Sequence, residues 1–300
     1  MEKLKVTMNI KEDSQVIQDM KDAYNNSPTA VKYLAELNVP QEVIEKNYPK
    51  IYNYVNDLNY CAKCPGLKNC KKERPLLVTN LTYKSGYLDR ELSPCRELLK
   101  RIEFEKHFIT RDFSDYLLDY DMTSIDLRDD RKNRRQLCAD YADFLSKGDN
   151  TWLYVYGVPN SGRTYCVSLI TVDIAKKKRG PICFLNFPER VGQLFSLLSK
   201  DRNEFEKYMN ILLNVPVLVL DDFGNEYKND KIRDEIIFPI FSTRAKKRLF
   251  TIIISEFEIY ELVDLFTFSK SGIVRAKQIT NLIKSMVNEP IYFGDIPFYE

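Results

Sequence analysis

Residues 157–164 of this chain read GVPNSGRT. They match the phosphate-binding loop pattern GxxxxGK[ST] except at one position, because Arg163 stands where the pattern has lysine. In that pattern the backbone aims N–H groups at phosphate oxygens, the lysine reaches the β and γ phosphates, and the hydroxyl binds Mg²⁺. We therefore predict that a nucleotide is bound by the loop and the tyrosine after it: Gly157, Val158, Pro159, Asn160, Ser161, Gly162, Arg163, Thr164 and Tyr165.

The flanks of the loop indicate a strand followed by a helix. An apolar run over 152–156 precedes it, and 165–175 has the pattern of a helix. The same alternation continues, with further strands predicted over 182–187, 216–220 and 249–255. Helices are predicted over 131–147, 191–198, 203–213 and 230–248, and a helical tail that follows the last strand ends at Met286. Strands that alternate with helices predict an α/β fold, in which a parallel sheet is flanked by helices and ligands lie at the carboxyl ends of the strands.

The second motif is a pair of acidic residues, Asp221 and Asp222, which follow the apolar strand predicted at 216–220 and so lie at its carboxyl end. In a P-loop enzyme the first acid of such a pair holds Mg²⁺ and the second can orient the attacking water. We therefore predict that Asp221 binds the cofactor, that Asp222 is catalytic, and that this strand lies beside the one before the loop. The two motifs in this order predict a P-loop fold that uses ATP and Mg²⁺.

Length and composition limit the class of protein. A chain of 300 residues is long enough for about two domains. It contains no apolar run near the ~18 residues of a membrane span, and its first residues lack the apolar segment of a secretory signal, so we expect a cytoplasmic protein without a membrane partner. The net charge is only +2, so any nucleic-acid contact must use local patches. The candidates are 131–135, 176–179 and 246–248, although such runs are more often solvated helix ends.

Four of the seven cysteines lie between residues 61 and 95. A disulfide framework is disfavoured in a cytosolic chain, because that compartment is reducing. Cys61 and Cys64 form a CxxC pair, and Cys70 and Cys95 can complete a tetrahedral Zn²⁺ site. Two alternatives remain open: free reduced thiols, and a redox CxxC, which is disfavoured because no thioredoxin-like pattern surrounds it. His107, the single histidine, is interpreted as a surface residue.

The chain before the cysteines has apolar residues at intervals of three and four, which is typical of amphipathic helices. We therefore predict a small, mostly helical zinc-binding domain over residues 1–108, with the cysteine module at 59–100. The P-loop domain is predicted over residues 109–300.

From about residue 30 onward the chain resembles the bacterial primosomal helicase loaders of the DnaI type. The resemblance rests on YVYGVPNSGRT, on PVLVLDDFGNE, on the IRDEII helix at 232–237, and on a CxxC module that ends in Pro94-Cys95. It implies that the second domain is an AAA+ domain that binds ATP and single-stranded DNA, while the N-terminal domain binds the replicative helicase. Arg244 matches an arginine that can act as an arginine finger across a subunit boundary, so the resemblance implies a catalytic role for Arg244 and leaves open a homo-oligomer formed through AAA+ contacts.

The chain departs from this family at several positions. Besides Arg163, Glu256 stands where a neutral asparagine positions the lytic water, and Gln278 stands where an arginine senses the γ phosphate. The family's histidine ligand has no counterpart, so we assign its role to Cys70. Losing contacts to a transferring phosphoryl group costs orders of magnitude in rate, so we expect weak or absent ATPase activity. Nucleotide binding is expected to persist, because the backbone of the loop, Thr164 and Asp221 remain.

Three hypotheses follow from the sequence. The first is an ATP-dependent helicase loader that acts in replication initiation or restart. The second is a non-hydrolysing adaptor that binds helicase and DNA. The third is a transposition-helper ATPase of related AAA+ type, which is disfavoured because such proteins are not expected to carry the cysteine module.

Overall fold

A computed structural model of the chain describes residues 10–128, 132–147, 151–270 and 272–294. Arg131, the first residue of one predicted basic patch, lies outside these ranges, as does the end of the predicted second domain. The chain divides into two compact units, Met1–Ile102 and Glu103–Glu300. The sequence places this boundary after residue 108.

The first unit packs helices against a β-hairpin. Its core combines buried side chains of α2 and α4 with Leu81 and Leu88 of the hairpin. The Ser27 hydroxyl accepts a hydrogen bond from the Ala30 amide and so caps α2, at whose first turn Pro28 lies. The elements are α1 (Ile10–Asn25), α2 (Pro28–Glu36), α3 (Gln41–Lys46), α4 (Tyr48–Ala62), β1 (Leu77–Lys84) and β2 (Tyr87–Pro94), followed by α5 (Arg96–Glu105).

The hairpin β1–β2 is absent from the prediction, which describes this unit as mostly helical. The strands pair antiparallel, from Leu77 opposite Pro94 to Lys84 opposite Tyr87. The two residues between them, Ser85 and Gly86, both have positive φ angles. Two residues with positive φ are typical of a tight hairpin turn, so the Ser-Gly pair between two runs of strand-forming residues is the signal that could have indicated the hairpin.

The second unit is built on a six-stranded sheet. Every described pairing in it is parallel, and the strand order is β3-β5-β6-β7-β4-β8. The strands are β3 (Phe108–Arg111), β4 (Leu153–Tyr156), β5 (Ile182–Asn186), β6 (Val217–Phe223), β7 (Phe250–Ser255) and β8 (Ile291–Tyr292). The prediction lacks β3 and β8, because β3 reads FITR and is not a continuous apolar run, and β8 has only two residues.

Helices connect the strands and cover the sheet. They are α6 (Lys132–Lys147), α7 (Arg163–Lys176), α8 (Phe187–Lys200), α9 (Arg202–Asn214), α10 (Phe238–Lys247), α11 (Leu262–Leu265) and α12 (Ile273–Met286). A π-helix over Ile232–Ile237 precedes α10. Within the described ranges, no helix is both long enough and apolar enough to cross a membrane.

Both faces of the sheet are buried, which explains the nearly continuous apolar runs of its strands. Along β4 and the residue before it, Trp152 and Tyr154 join the core on one face, whereas Leu153 and Val155 join the core on the other. The predicted α/β fold, a parallel sheet flanked by helices, is confirmed.

One detail of the predicted topology is wrong. The strand that ends in the acid pair, β6, does not lie beside β4, because β7 is inserted between them. The end of β7, at Ser255, therefore lies between the phosphate-loop strand and the acid pair. Ser255 is opposite Tyr156 on one side and Phe223 on the other.

Candidate functional site

The phosphate loop connects β4 to α7. Its backbone has positive φ angles at Gly157 (147°), Asn160 (63°) and Gly162 (86°). A Cβ atom at Gly157 would lie 3.3 Å from the carbonyl oxygen of Gly294, so glycine also allows a close approach there. α7 begins at Arg163, and the first N–H groups of a helix favour an anion at this end. The backbone has the shape that the sequence predicts for a phosphate cradle.

Ser161 in this loop has a buried hydroxyl without a visible partner. The side chain is 2% exposed, and its Oγ forms no hydrogen bond to any residue that the structure describes. An unsatisfied buried polar group costs about 1–3 kcal/mol. A bound ligand that accepts or donates a hydrogen bond here would offset that cost.

Thr164 and Asp221, the two predicted Mg²⁺ ligands, are brought together by the fold. The Thr164 hydroxyl donates to Oδ1 of Asp221 at 3.0 Å, and the Asp222 amide donates to the same oxygen at 3.1 Å. Burial, and after it the neighbouring charge of Asp222, raise the pKa of Asp221 to about 6, although the hydrogen bond from Thr164 and the charge of Arg163 act to lower it. A cation would fit this donor set, because carboxylate and hydroxyl oxygens are its preferred ligands.

The Arg163 side chain is buried and donates a hydrogen bond to another residue of the same unit. The residue is 6% exposed, and its Nη1 donates to the carbonyl oxygen of Ser255 at the end of β7. Burial lowers the pKa of Arg163, and the charges of Glu256, Asp222 and Asp221 oppose that effect. The charge expected to contact phosphate therefore donates to a backbone carbonyl inside the protein.

The end of β7 is fixed by hydrogen bonds that the sequence analysis did not anticipate. The Ser255 hydroxyl donates to the carbonyl of Phe223 at 2.6 Å and accepts from the Phe257 amide at 3.1 Å. The Tyr154 hydroxyl donates to the Phe257 carbonyl at 2.8 Å. Glu256 is therefore held between two anchored residues. A serine at the end of an otherwise apolar strand is the sequence signal for this arrangement.

Glu226 is a second residue that sequence reasoning missed. It lies four positions after Asp222 and is 6% exposed. One carboxylate oxygen accepts from the Gly224 amide at 2.8 Å, and the other has no hydrogen-bond partner in the described part of the chain. Burial raises the pKa of Glu226 to about 7. The bond to Gly224 fixes the turn that follows the acid pair.

Arg244, the predicted arginine finger, is fully buried. Its guanidinium donates to the carbonyls of Leu212, Val215 and Phe250 and to the hydroxyl of Thr251, at 2.7 to 2.9 Å. Burial lowers its pKa to about 9. These contacts argue against the finger role, because a side chain with four internal acceptors cannot reach another subunit while they persist.

Gln278, which stands in place of a phosphate-sensing arginine, contacts a neighbour on its own helix. Its Oε1 accepts from Nη1 of Arg275 at 2.9 Å. The Arg275 guanidinium lies 3.8 Å from the centre of the Phe238 ring and 3.4 Å from a carboxylate oxygen of Asp234 in the π-helix. This region of α12 is thus bound to the π-helix that carries the IRDE sequence.

The four predicted zinc ligands, which are Cys61, Cys64, Cys70 and Cys95, line one cavity of about 660 Å³ in the first unit. Among the described residues, however, no group of three or more His, Cys, Asp or Glu side chains is placed to hold a metal ion.

Two of the four sulfur atoms, those of Cys70 and Cys95, accept hydrogen bonds from backbone amides. The Leu76 and Lys72 amides donate to the Cys70 sulfur and lower its pKa, and the Cys95 sulfur accepts from the Leu98 amide at 3.4 Å. The zinc prediction is therefore not supported.

The basic patch at 176–179 makes local contacts. Lys176 donates to the carbonyl of Tyr120 at 3.0 Å, Lys177 pairs with Asp173, and Arg179 donates to the carbonyl of Leu145 at 2.9 Å. These contacts agree with the interpretation of such runs as helix ends.

Comparisons with known proteins agree with the fold. No family model matches the chain. The replicative helicase loader DnaI of Bacillus subtilis is 26% identical over 265 residues, which are 85% of this chain and 84% of that protein. A crystal structure of DnaI is 25% identical with a TM-score of 0.53, and covers 65% of this chain and 98% of its own. A primosome component from Streptococcus pyogenes, at 18% identity and a TM-score of 0.52, covers 65% and 97% and shows the fold alone. The predicted resemblance to DnaI-type loaders and the AAA+ type of α/β fold are confirmed.

Proposed function

We propose that this chain is a helicase loader that acts when DNA replication is initiated or restarted. In this proposal, residues 1–108 bind the replicative helicase, and residues 109–300 bind ATP with Mg²⁺ and single-stranded DNA. The observation that carries it is the similarity to DnaI, which extends over 85% of the chain.

The nucleotide part of the proposal is supported by the geometry of the loop. The Thr164 hydroxyl lies 3.0 Å from Asp221, and the buried Ser161 hydroxyl has no partner among the described residues. In this arrangement the loop backbone and the start of α7 bind phosphate, whereas Thr164 and Asp221 hold the cation. Mg²⁺, when bound, would neutralise phosphate charge.

We further propose that hydrolysis is weak. Hydrolysis requires positive charge at the transferring phosphoryl group, and removing one such contact typically costs orders of magnitude in rate. Arg163 donates to the Ser255 carbonyl, and Gln278 accepts from Arg275. Neither side chain is therefore directed at phosphate by these contacts.

A second candidate function is a non-hydrolysing adaptor that binds helicase and DNA and uses nucleotide as a structural ligand. The contact between Arg163 and Ser255 favours it, because a cation held inside the protein cannot follow the γ phosphate through a reaction cycle.

The substitution Arg163→Lys distinguishes the two candidates. In a loader whose site is otherwise intact, lysine restores the phosphate contact, and ATP turnover measured with helicase and single-stranded DNA should rise by at least about tenfold. In an adaptor, turnover stays at background because Glu256 and Gln278 already disable the site. Wild-type protein that hydrolyses ATP at the rate of a typical AAA+ loader would contradict the proposal of weak hydrolysis.

A further inference from the structure

The β-hairpin of the first unit has two outer edges, and side chains cap one of them. Along β1, the Thr79 amide donates to a carboxylate oxygen of Asp57 at 2.6 Å. The Leu81 carbonyl accepts from the Tyr33 hydroxyl at 2.9 Å, and Lys72 donates to the carbonyl of the first residue of the strand at 2.5 Å. This edge is therefore closed to another strand.

The other edge belongs to β2. Residues opposite each other in an antiparallel pair direct their N–H and C=O groups either towards each other or both away. Thr79 lies opposite Leu92, and Leu81 lies opposite Arg90. Because the groups of Thr79 and Leu81 bond to side chains outside the hairpin, those of Leu92 and Arg90 also point away from β1.

These outward groups of β2 are accessible. Nearer the turn, the Leu88 carbonyl accepts from Lys50 at 2.5 Å, but within the described part of the chain the outward groups of Arg90 and Leu92 have no hydrogen-bond partner. Leu92 is 43% exposed, and Arg90 and Glu91 are exposed as well. We call residues 90–92 the open edge of β2. An exposed edge with unpaired N–H and C=O groups is a template for another strand.

The side chains of the open edge carry charges without partners. Arg90 and Glu91 are neighbours in a strand, so they project from opposite faces. Neither forms an ion pair with a residue that the structure describes, whereas Asp89 beside them pairs with Lys50 at 3.4 Å. A strand with an acidic residue on the face of Arg90 and a basic residue on the face of Glu91 complements both charges.

A second copy of β2 does not complement this edge. About a two-fold axis, the residue on the axis faces itself and its two neighbours face each other. Centred on Arg90, two arginines meet and Asp89 faces Glu91. Centred on Glu91, two glutamates meet, and centred on Leu92, Arg90 faces Pro94, which has no N–H to donate. Like charges opposite each other and a missing donor weaken a sheet, so the open edge fits a different chain.

We infer that the open edge of β2 binds an extended segment of a partner protein as an added strand, and that this segment carries an acidic and a basic residue at neighbouring positions. The inference rests on the proposed function and deepens it, because the replicative helicase is the partner proposed for this unit. Backbone hydrogen bonds give the affinity, and the two charges set the register.

Leu92→Pro tests the added strand. Proline removes the outward N–H but leaves the bonds to β1, since the Leu92 amide points away from β1. Full-length wild-type and variant proteins are titrated with the replicative helicase of the same organism by biolayer interferometry. The affinity should fall at least about fivefold, which corresponds to one backbone hydrogen bond of ~1 kcal/mol.

Glu91→Lys tests the charge. It should weaken binding about threefold, and less at high salt, because exposed ion pairs are screened. Glu36→Lys, which makes the same change at an exposed position of α2, is the matched control and should bind as wild type. Thermal denaturation shows which variants are folded, and Glu91→Lys keeps the inference testable if Leu92→Pro is not.

Hydrogen exchange at single-residue resolution gives a readout that a general loss of affinity does not. The Arg90 and Leu92 amides should exchange more slowly when the helicase is bound. The Asp89 and Glu91 amides, which alternate with them and face β1, should already be slow in the free chain.

Three results would overturn the inference. If folded Leu92→Pro and Glu91→Lys both bind the helicase as tightly as wild type, the helicase partner stands but this surface is wrong. If the chain alone is a dimer in size-exclusion chromatography and Leu92→Pro dissociates it, a second copy occupies the edge. If the helicase does not bind wild-type protein, this inference and the proposed function fail together.

Discussion

Single residues in this chain have roles that their positions in the sequence do not reveal. Arg163 and Arg244 both match positions where a family contact to phosphate is expected, yet both guanidiniums donate to carbonyls inside the second unit. The sequence supplies the charge at such a position, but the direction of the side chain depends on neighbours that are distant in the chain. Ser255 is 92 residues from Arg163.

Arg244→Ala should destabilise the second unit and not merely reduce activity. Removing the guanidinium leaves the carbonyls of Leu212, Val215 and Phe250 without these donors in a buried site, which should cost at least about 3 kcal/mol in the free energy of unfolding. Chemical denaturation measures this. Lys246→Ala on the exposed side of the same helix is the control and should change stability by less than about 0.5 kcal/mol. A stable Arg244→Ala protein that fails only in assembly or turnover would restore the finger hypothesis.

Glu226 should make stability depend on pH. Its pKa is raised from 4.5 to about 7 by burial, so the folded state binds a proton more tightly than the unfolded state. Stability from this group is fully present below pH 4.5 and is lost as pH rises towards 7, by up to about 3 kcal/mol. Glu226→Gln stays neutral and keeps an acceptor for the Gly224 amide.

The measurement is the free energy of unfolding of both proteins at pH 5 and pH 8. Glu226→Gln should gain stability relative to wild type at pH 8 and gain much less at pH 5. Glu289→Gln, which changes an exposed carboxylate of the same unit, should show no such difference. Equal effects of Glu226→Gln at the two pH values would contradict the burial argument.

Helices and strands were easier to predict than the contacts between them. The strand, loop and helix around residues 152–176 and the strand before Asp221 were predicted because long apolar runs and a glycine-rich turn carry a strong local signal. The strand order, with β7 between β4 and β6, carries no local signal, since it depends on how the helices cross the sheet. The predicted helix over 230–248 also begins with the π-helix Ile232–Ile237, whose sequence gives no sign of the wider turn.

Gly224 is the residue on which the turn after β6 depends. Its φ angle is 104°, and a Cβ atom would lie 2.7 Å from a ring carbon of Phe257. Gly224→Ala should therefore destabilise the unit by more than about 1 kcal/mol and weaken nucleotide binding, because the ends of β6 and β7 must separate.

Gly192→Ala is the matched control for this prediction. Gly192 lies in α8, and a Cβ atom there would meet nothing within 4 Å. Alanine should stabilise the helix by about 0.5–1 kcal/mol. Thermal denaturation and nucleotide titration of the two variants check both effects, and a Gly224→Ala protein as stable as wild type would contradict the close contact with Phe257.

At the scale of the whole molecule, the two compact units have different roles in the proposed function. The second unit carries the phosphate loop and the acid pair, and the first carries the helices and hairpin with their own buried core. The similarity to DnaI extends over 85% of the chain, which is more than the second unit alone. We therefore expect helicase binding to be independent of the altered nucleotide site.

The most direct measurement of this account is binding of the chain to the replicative helicase of the same organism. Full-length protein and a fragment of residues 1–108, which includes all of α5, are each mixed with the helicase and analysed by co-purification and size-exclusion chromatography. We predict that both form a stable complex with the helicase, and that Arg163→Lys binds as well as wild type. Failure of the full-length chain and the fragment to bind would contradict the loader function, whatever the nucleotide site does.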